Sequence, residues 1–77
     1  MARVMLNAYA TLRAYLEGAG SIEAEIEPGK TVSDLLRQVG IPPEQTRIVF
    51  VNNRAGSLST PLYGDEKIGV FPAIGGG

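Results

Sequence analysis

The chain has 77 residues, 44% of them apolar, a formal net charge of −1, and neither cysteine nor histidine. That suffices for one small core near the lower size limit for independent folding, and it argues against disorder. It also excludes a disulfide framework, a thiol nucleophile, and any thiolate or imidazole metal site.

A pI near 5.2 leaves no basic footprint for nucleic acid, and no apolar run is long enough to span a membrane. Met1 to Asn7 lacks the pattern of a signal peptide. The expectation is a cytosolic (cytoplasmic) domain too poor in catalytic side chains to be an enzyme alone.

Arg3 to Tyr9 alternates, with Val4, Leu6 and Ala8 on one face and Met5 and Tyr9 on the other. That period of two predicts a strand whose second face is also partly covered. Thr11 to Leu16 predicts a short helical turn, with Leu12 and Leu16 one turn apart and plugging one end of the core. Gly18 and Gly20 close it. Ser21 to Glu27 alternates most cleanly: Ile22, Ala24 and Ile26 point one way, Glu23, Glu25 and Glu27 the other. Carboxylates at i, i+2 splay along a strand and form no cage for a hard ion, so this reads as an edge strand protected by charge.

After the Pro28-Gly29 turn the chain signals a helix at both ends. Thr31 caps it with Asp34 in the capping-box position, and Val32, Leu35, Leu36 and Val39 make one apolar stripe. Gly40 ends the helix, and Pro42-Pro43 prevents its continuation. A connector to Thr46 follows, with one short turn around Glu44. Arg47 to Asn52 is a nearly continuous β-branched and aromatic run, which predicts a strand buried on both faces or nearly so. Asn53 to Gly56 is turn chemistry, Ser57 to Thr60 a candidate short strand, and Leu62 and Tyr63 are expected to fold inward as plugs. Lys67 to Phe71 is the final strand, with Gly69 marking either a bulge or a close backbone approach.

The chain closes on Phe71-Pro72-Ala73-Ile74-Gly75-Gly76-Gly77. Proline donates nothing to a sheet ladder, so pairing is expected to end at about Phe71. Beyond Ile74 there is no side chain to pack. Ala73 to Gly77 can reach about 17 Å when extended, at roughly 3.3–3.6 Å per residue. The only reactive group at the tip is the α-carboxylate of Gly77. As a phosphate cradle the glycines fail, because no helix follows them. The bland alternative is an idle flexible end.

A hairpin, a capped helix and further strands make a two-layer α+β domain with a right-handed crossover. The two hydrophobic later strands belong near its centre. The natural solution sets the first and last strands side by side and parallel, with the helix across one face of a mixed sheet. That is a β-grasp (ubiquitin-like) roll, expected over residues 1–74, with 75–77 as a free tail.

Read at this level, the chain resembles the MoaD/ThiS family of ubiquitin-like sulfur carriers. The likeness rests on the opening strand, Thr31-Val32-x-x-Leu35-Leu36, the Leu62-x-Gly64-Asp65 turn, and Ile68-x-Val70-Phe71-Pro72-x-Ile74-x-Gly76-Gly77. The Phe-Pro pair before the aliphatic residue is more similar to the small subunit of molybdopterin synthase than to the thiamine-pathway carrier, although Ala73 stands where members commonly have a second proline.

The resemblance implies that Gly77 is the reacting residue. A ubiquitin-activating-type adenylyltransferase would use ATP to make its acyl adenylate. A sulfur donor, such as a cysteine desulfurase or rhodanese-like protein, would then convert that to a thiocarboxylate. The recipient would be the molybdopterin synthase large subunit, in a heterotetramer, with no cofactor or metal resident in this chain. Gly75 and Gly76 would thread a channel too narrow for a β-carbon, with Phe71, Pro72 and Ile74 as partner-binding anchors; for Phe71 a place in the core remains the competing reading. Other pathways (thiamine, cysteine or tungsten-pterin), a protein modifier joined through Gly77, and a plain interaction module stay open as alternatives.

Overall fold

A computed structural model describes residues 1–72. Five strands form one sheet in the order β2-β1-β5-β3-β4. These are β1 (Ala2–Ala8), β2 (Ser21–Ile26), β3 (Thr46–Val51), β4 (Arg54–Ala55) and β5 (Lys67–Pro72). β1 runs antiparallel to β2 and parallel to β5, so the first and last strands lie side by side as expected, and β5 runs antiparallel to β3. The last strand is therefore central, and β2, with its exposed glutamates, is an edge.

One α-helix, α1 (Val32–Val39), lies over one face. Its start is the reciprocal capping box: Thr31 Oγ1 accepts from the Asp34 N–H at 3.2 Å, and the Asp34 carboxylate accepts from the Thr31 N–H at 2.9 Å. Its end is Gly40 at φ 93°, in the left-handed region that glycine enters without strain. Val32, Leu35 and Leu36 are buried against Val4, Leu6, Ile26, Ile68 and Val70 in a single core. The 3-10 helix Ala10–Leu16 is longer than the single turn expected, and it plugs the core with Leu12 and Leu16 as the spacing predicts. Leu62 is pinned inward as a second plug, where it exchanges backbone hydrogen bonds with the Gly29-Lys30 turn at 2.7 and 2.8 Å.

Four expectations are corrected. Tyr63 is no plug; it is 65% exposed, and the Glu66 carboxylate holds the loop by accepting the N–H groups of Tyr63 and Gly64. Ser57 to Thr60 form no strand. Instead Asn52 and Asn53 both take positive φ, 53° and 66°, a combination that favours a tight two-residue hairpin turn, so Arg54-Ala55 return beside β3 as β4. Pairing runs one residue past Phe71, to Pro72 opposite Thr46, across a register shift between Thr46 and Ile48. A ladder irregularity is where a residue without an N–H is tolerated.

The fourth correction concerns β3, which is not buried on both faces: Ile48 is 44% exposed and Phe50 38%. A strand can be covered twice only if two layers exist to cover it. Among the described residues the helix covers one side and nothing covers the other.

Candidate functional site

The candidate site is the helix-free face of the sheet where it runs into the start of the tail. Because β5 lies between β1 and β3, the chain leaves the sheet from its middle rather than its rim. Side chains alternate across a strand, so Ile68 and Val70 enter the core while Gly69 and Phe71 face outward.

Phe71 is half-buried, and it owes this to neighbouring rings rather than to the core. It stacks on Tyr9 with centroids 4.3 Å apart and planes within 3°, and it meets Phe50 edge-on at 5.9 Å and 81°. Both geometries suit the quadrupoles of aromatic rings. Ile48 lies directly opposite Phe71 in the ladder, as Phe50 does opposite Gly69. The result is an apolar patch of Tyr9, Ile48, Phe50 and Phe71, with half-buried Pro72 at its border. Asn52 fixes the start of the strand below it: its side-chain oxygen accepts the Lys67 N–H at 3.0 Å, while its own N–H donates to the Lys67 carbonyl at 2.8 Å.

Of the residues that the sequence nominates, the fold brings Phe71 and Pro72 together at the exit of the tail. Ile74, Gly75, Gly76 and Gly77 lie outside the described residues, as does the expected boundary after residue 74. Sequence reasoning missed Tyr9, Ile48 and Phe50 as members of the site. The signal was available in the element count, because a domain with one main helix has no second layer for an apolar run to face.

The face itself offers little chemistry. Among the described residues no three carboxylates gather to hold a metal ion, and no helix is long and apolar enough to cross a membrane. Among the described residues the one clearly shifted carboxyl is Asp34, held below its ordinary 3.8 by the hydrogen bonds from the Thr31 backbone and hydroxyl. It belongs to the helix cap and is remote from the aromatic patch in function. An apolar face beside a departing strand is suited to gripping a partner.

The ThiS family model matches residues 7–77, which takes in the glycine tail. The chain belongs to the ThiS family. No curated protein matches it. Solved structures do: this ThiS-family chain is similar to small archaeal modifier protein 1 from H. volcanii, with a TM-score of 0.77 and 17% identity, covering 96% of this chain and all of that one. It is also similar to a Pyrococcus furiosus protein assigned as molybdopterin converting factor, subunit 1 (TM-score 0.73, 24% identity, 96% of this chain and 100% of that one). A third likeness is to small archaeal modifier protein 1 from Methanosarcina acetivorans (TM-score 0.71, 22% identity, 100% and 98%). At these identities the likeness is one of fold, and that fold is the β-grasp. The ThiS-family protein thus has the ubiquitin-like, β-grasp fold.

Proposed function

We propose that the protein is a sulfur carrier whose reacting group is the α-carboxylate of Gly77, and that it serves molybdopterin synthesis as the small, sulfur-donating subunit of the synthase. The carrier reading is carried by the family match, which runs through Gly75, Gly76 and Gly77; the molybdopterin part draws its support from the Phe71-Pro72 ending and the fold likeness to the Pyrococcus furiosus protein. The exit of the tail from the sheet centre, beside an apolar face, supports it.

A carboxylate resists nucleophiles until one of its oxygens becomes a leaving group. In the proposed sequence a ubiquitin-activating-type adenylyltransferase supplies ATP. A Gly77 oxygen attacks the α-phosphorus, pyrophosphate departs, and an acyl adenylate forms. A sulfur nucleophile at the oxidation level of hydrosulfide then adds to the acyl carbon and expels AMP, leaving the thiocarboxylate. The chain contributes reach, narrowness and a grip. Ordering each backbone unit of the tail costs about 1–2 kcal/mol, which contacts elsewhere on the partner must offset.

A second reading, a modifier joined through Gly77 to amines of other proteins, has its own support in the fold likeness to the archaeal modifier proteins. One experiment separates the two. The chain is incubated with its cognate adenylyltransferase, ATP and a sulfide source, and the C-terminal peptide is weighed. An oxygen-for-sulfur mass gain supports the carrier. Peptide remnants of the tail on lysines of other proteins, without that gain, support the modifier. Deleting Gly76-Gly77 is expected to abolish either outcome while leaving the melting temperature unchanged.

A further inference from the structure

Gly69 sits in the central strand without the usual reasons for glycine. Its φ lies outside the left-handed region, and an added Cβ would meet only Tyr9 Cε2 at 3.5 Å and Phe50 Cβ at 4.0 Å, ordinary contact distances. Alanine would fit, and glycine weakens a strand interior. What its bareness creates is a dimple of about 230 Å³, walled by Tyr9, Phe50 and Phe71 and bordered by Asn7, Asn53 and Lys67. Pockets for drug-sized ligands usually run to about 300–1,000 Å³, so this one is sized for a small group.

The border is made of donors. Lys67 brings an ammonium, and Asn7 and Asn53 each bring a side-chain amide. No carboxylate stands among the lining residues. Neither of the ion pairs among the described residues, Arg3–Glu25 and Arg37–Asp34, uses that lysine. Glu66, its neighbour in sequence, spends its carboxylate on the N–H groups of Tyr63 and Gly64. One ammonium and two amides above apolar walls suit a small carboxylate, bound by charge-assisted hydrogen bonds.

The chain carries such a group at a matching distance. Side chains alternate along β5, so Lys67, Gly69 and Phe71 share the open face. Residues 73–77 follow Pro72. A reversal over two of them leaves three glycines, which can run back about 10 Å at roughly 3.3 Å per residue. Gly69 lies the same three residues back from Pro72, and glycines bring no side chain to collide with the rings on the way.

We infer that the Gly69 dimple is a cradle for the chain's own C-terminus: residues 73–77 fold back over β5, and the Gly77 carboxylate rests against Lys67, Asn7 and Asn53. Closing a loop of five residues costs entropy that grows only slowly with length. The donor border offsets that cost to an equilibrium near balance, which leaves the stability of the fold to the core. A cradled carboxylate is withheld from any other site, so a partner has to draw it out. That consequence rests on the carrier reading above; the contact itself needs no partner.

The test compares proton–nitrogen and aromatic proton NMR spectra of the dilute full chain with those of the chain lacking Gly75–Gly77. The deletion is expected to shift the Gly69 amide and the Tyr9 ring signals, although neither adjoins the deleted residues in sequence. In a Lys67→Gln background, checked by a wild-type melting curve, the deletion shift should fall at least twofold. Salt at about 1 M, where the Debye length is about 3 Å, should weaken it likewise in the wild-type chain, and this arm decides if the variant fails to fold. Gly69 and Tyr9 signals indifferent to the deletion overturn the cradle. So does a shift undiminished by both Lys67→Gln and salt, because the lysine then holds no carboxylate. A shift that fades on dilution means that the tail belongs to a second copy, and the inference is wrong.

The consequence is read from ATP–pyrophosphate exchange by the cognate adenylyltransferase. With about half of the tails cradled, Lys67→Gln should lower KM for the chain about twofold at unchanged kcat, since apparent affinity scales with the competent fraction. A KM that does not fall overturns the restraint on activation. No exchange with the wild-type chain at any concentration removes the carrier reading and leaves the spectral result to stand by itself.

Discussion

Val70 and Phe71 are neighbours on β5. Val70 is fully buried in the core that α1 completes, whereas Phe71 lies half-open against Tyr9 on the opposite side. The same contrast repeats on β3, where Val49 is buried while Ile48 and Phe50 stand exposed. At these positions both sides carry apolar residues, so hydrophobicity alone does not separate them. What separates them is a covering layer. The helix face removes Leu35, Leu36 and Ile68 from water altogether, and stability should reside there. The open face keeps large apolar side chains in contact with water, where burial by a partner is still available to drive association. In a domain of this size one sheet serves both purposes.

The most severe way to break this contrast is to cut into the covered side. Leu36 is fully buried, and Leu36→Ala is expected to cost about 2–5 kcal/mol through lost transfer and an unfilled cavity. A denaturant titration should show the midpoint falling steeply. A loss below about 1 kcal/mol would mean that the helix does not seal the core. Next in size is the helix cap: Thr31→Ala should cost about 1 kcal/mol.

The cap also has a pH signature. Because the Asp34 carboxyl is held below its ordinary 3.8 by bonds from Thr31, its contribution is fully present above that ordinary value. The contribution is lost as the pH falls through the depressed value. The stability gap between wild type and Asp34→Asn should be widest above about pH 4 and close on further acidification. A gap independent of pH would show that the carboxylate's charge takes no part in the cap.

These elements differ in how legible they were. The cap, the stripe of α1 and the parallel pairing of β1 with β5 follow from local chemistry and chain order: Thr31, Asp34 and Gly40 each have one plausible role at their spacing, and a central last strand follows from its apolarity. The errors have separate causes. Arg47 to Asn52 reads as doubly buried because periodicity reports how apolar a run is and not how many layers exist to cover it. Tyr63 beside Leu62 failed for another reason, since one loop position faces the core and its neighbour need not. The Asn52-Asn53 turn was visible as turn chemistry but placed one residue late, and β4 was hidden with it. For the site, Phe71 and Pro72 were legible through the ending they belong to. Tyr9, Ile48 and Phe50 come from two other strands, and only the register brings them to the same patch.

The mildest perturbation sharpens the comparison most. Ile48 is 44% exposed on the open face, opposite Phe71. Ile48→Thr keeps a β-branched side chain and so keeps strand preference, but it puts a hydroxyl into the apolar patch. Water already reaches the position, so the hydroxyl keeps its hydration in the isolated domain. The denaturation midpoint should move by no more than about 0.5 kcal/mol, the range for surface changes outside special features. When a partner covers the patch the same hydroxyl must shed water without a guaranteed acceptor, at a cost of about 1–3 kcal/mol. Partner affinity should then fall several-fold or more while the fold is unmoved. If Ile48→Thr destabilised the free domain as much as it weakened binding, the open face would be part of the core, and the division of labour between the two sides of the sheet would fail.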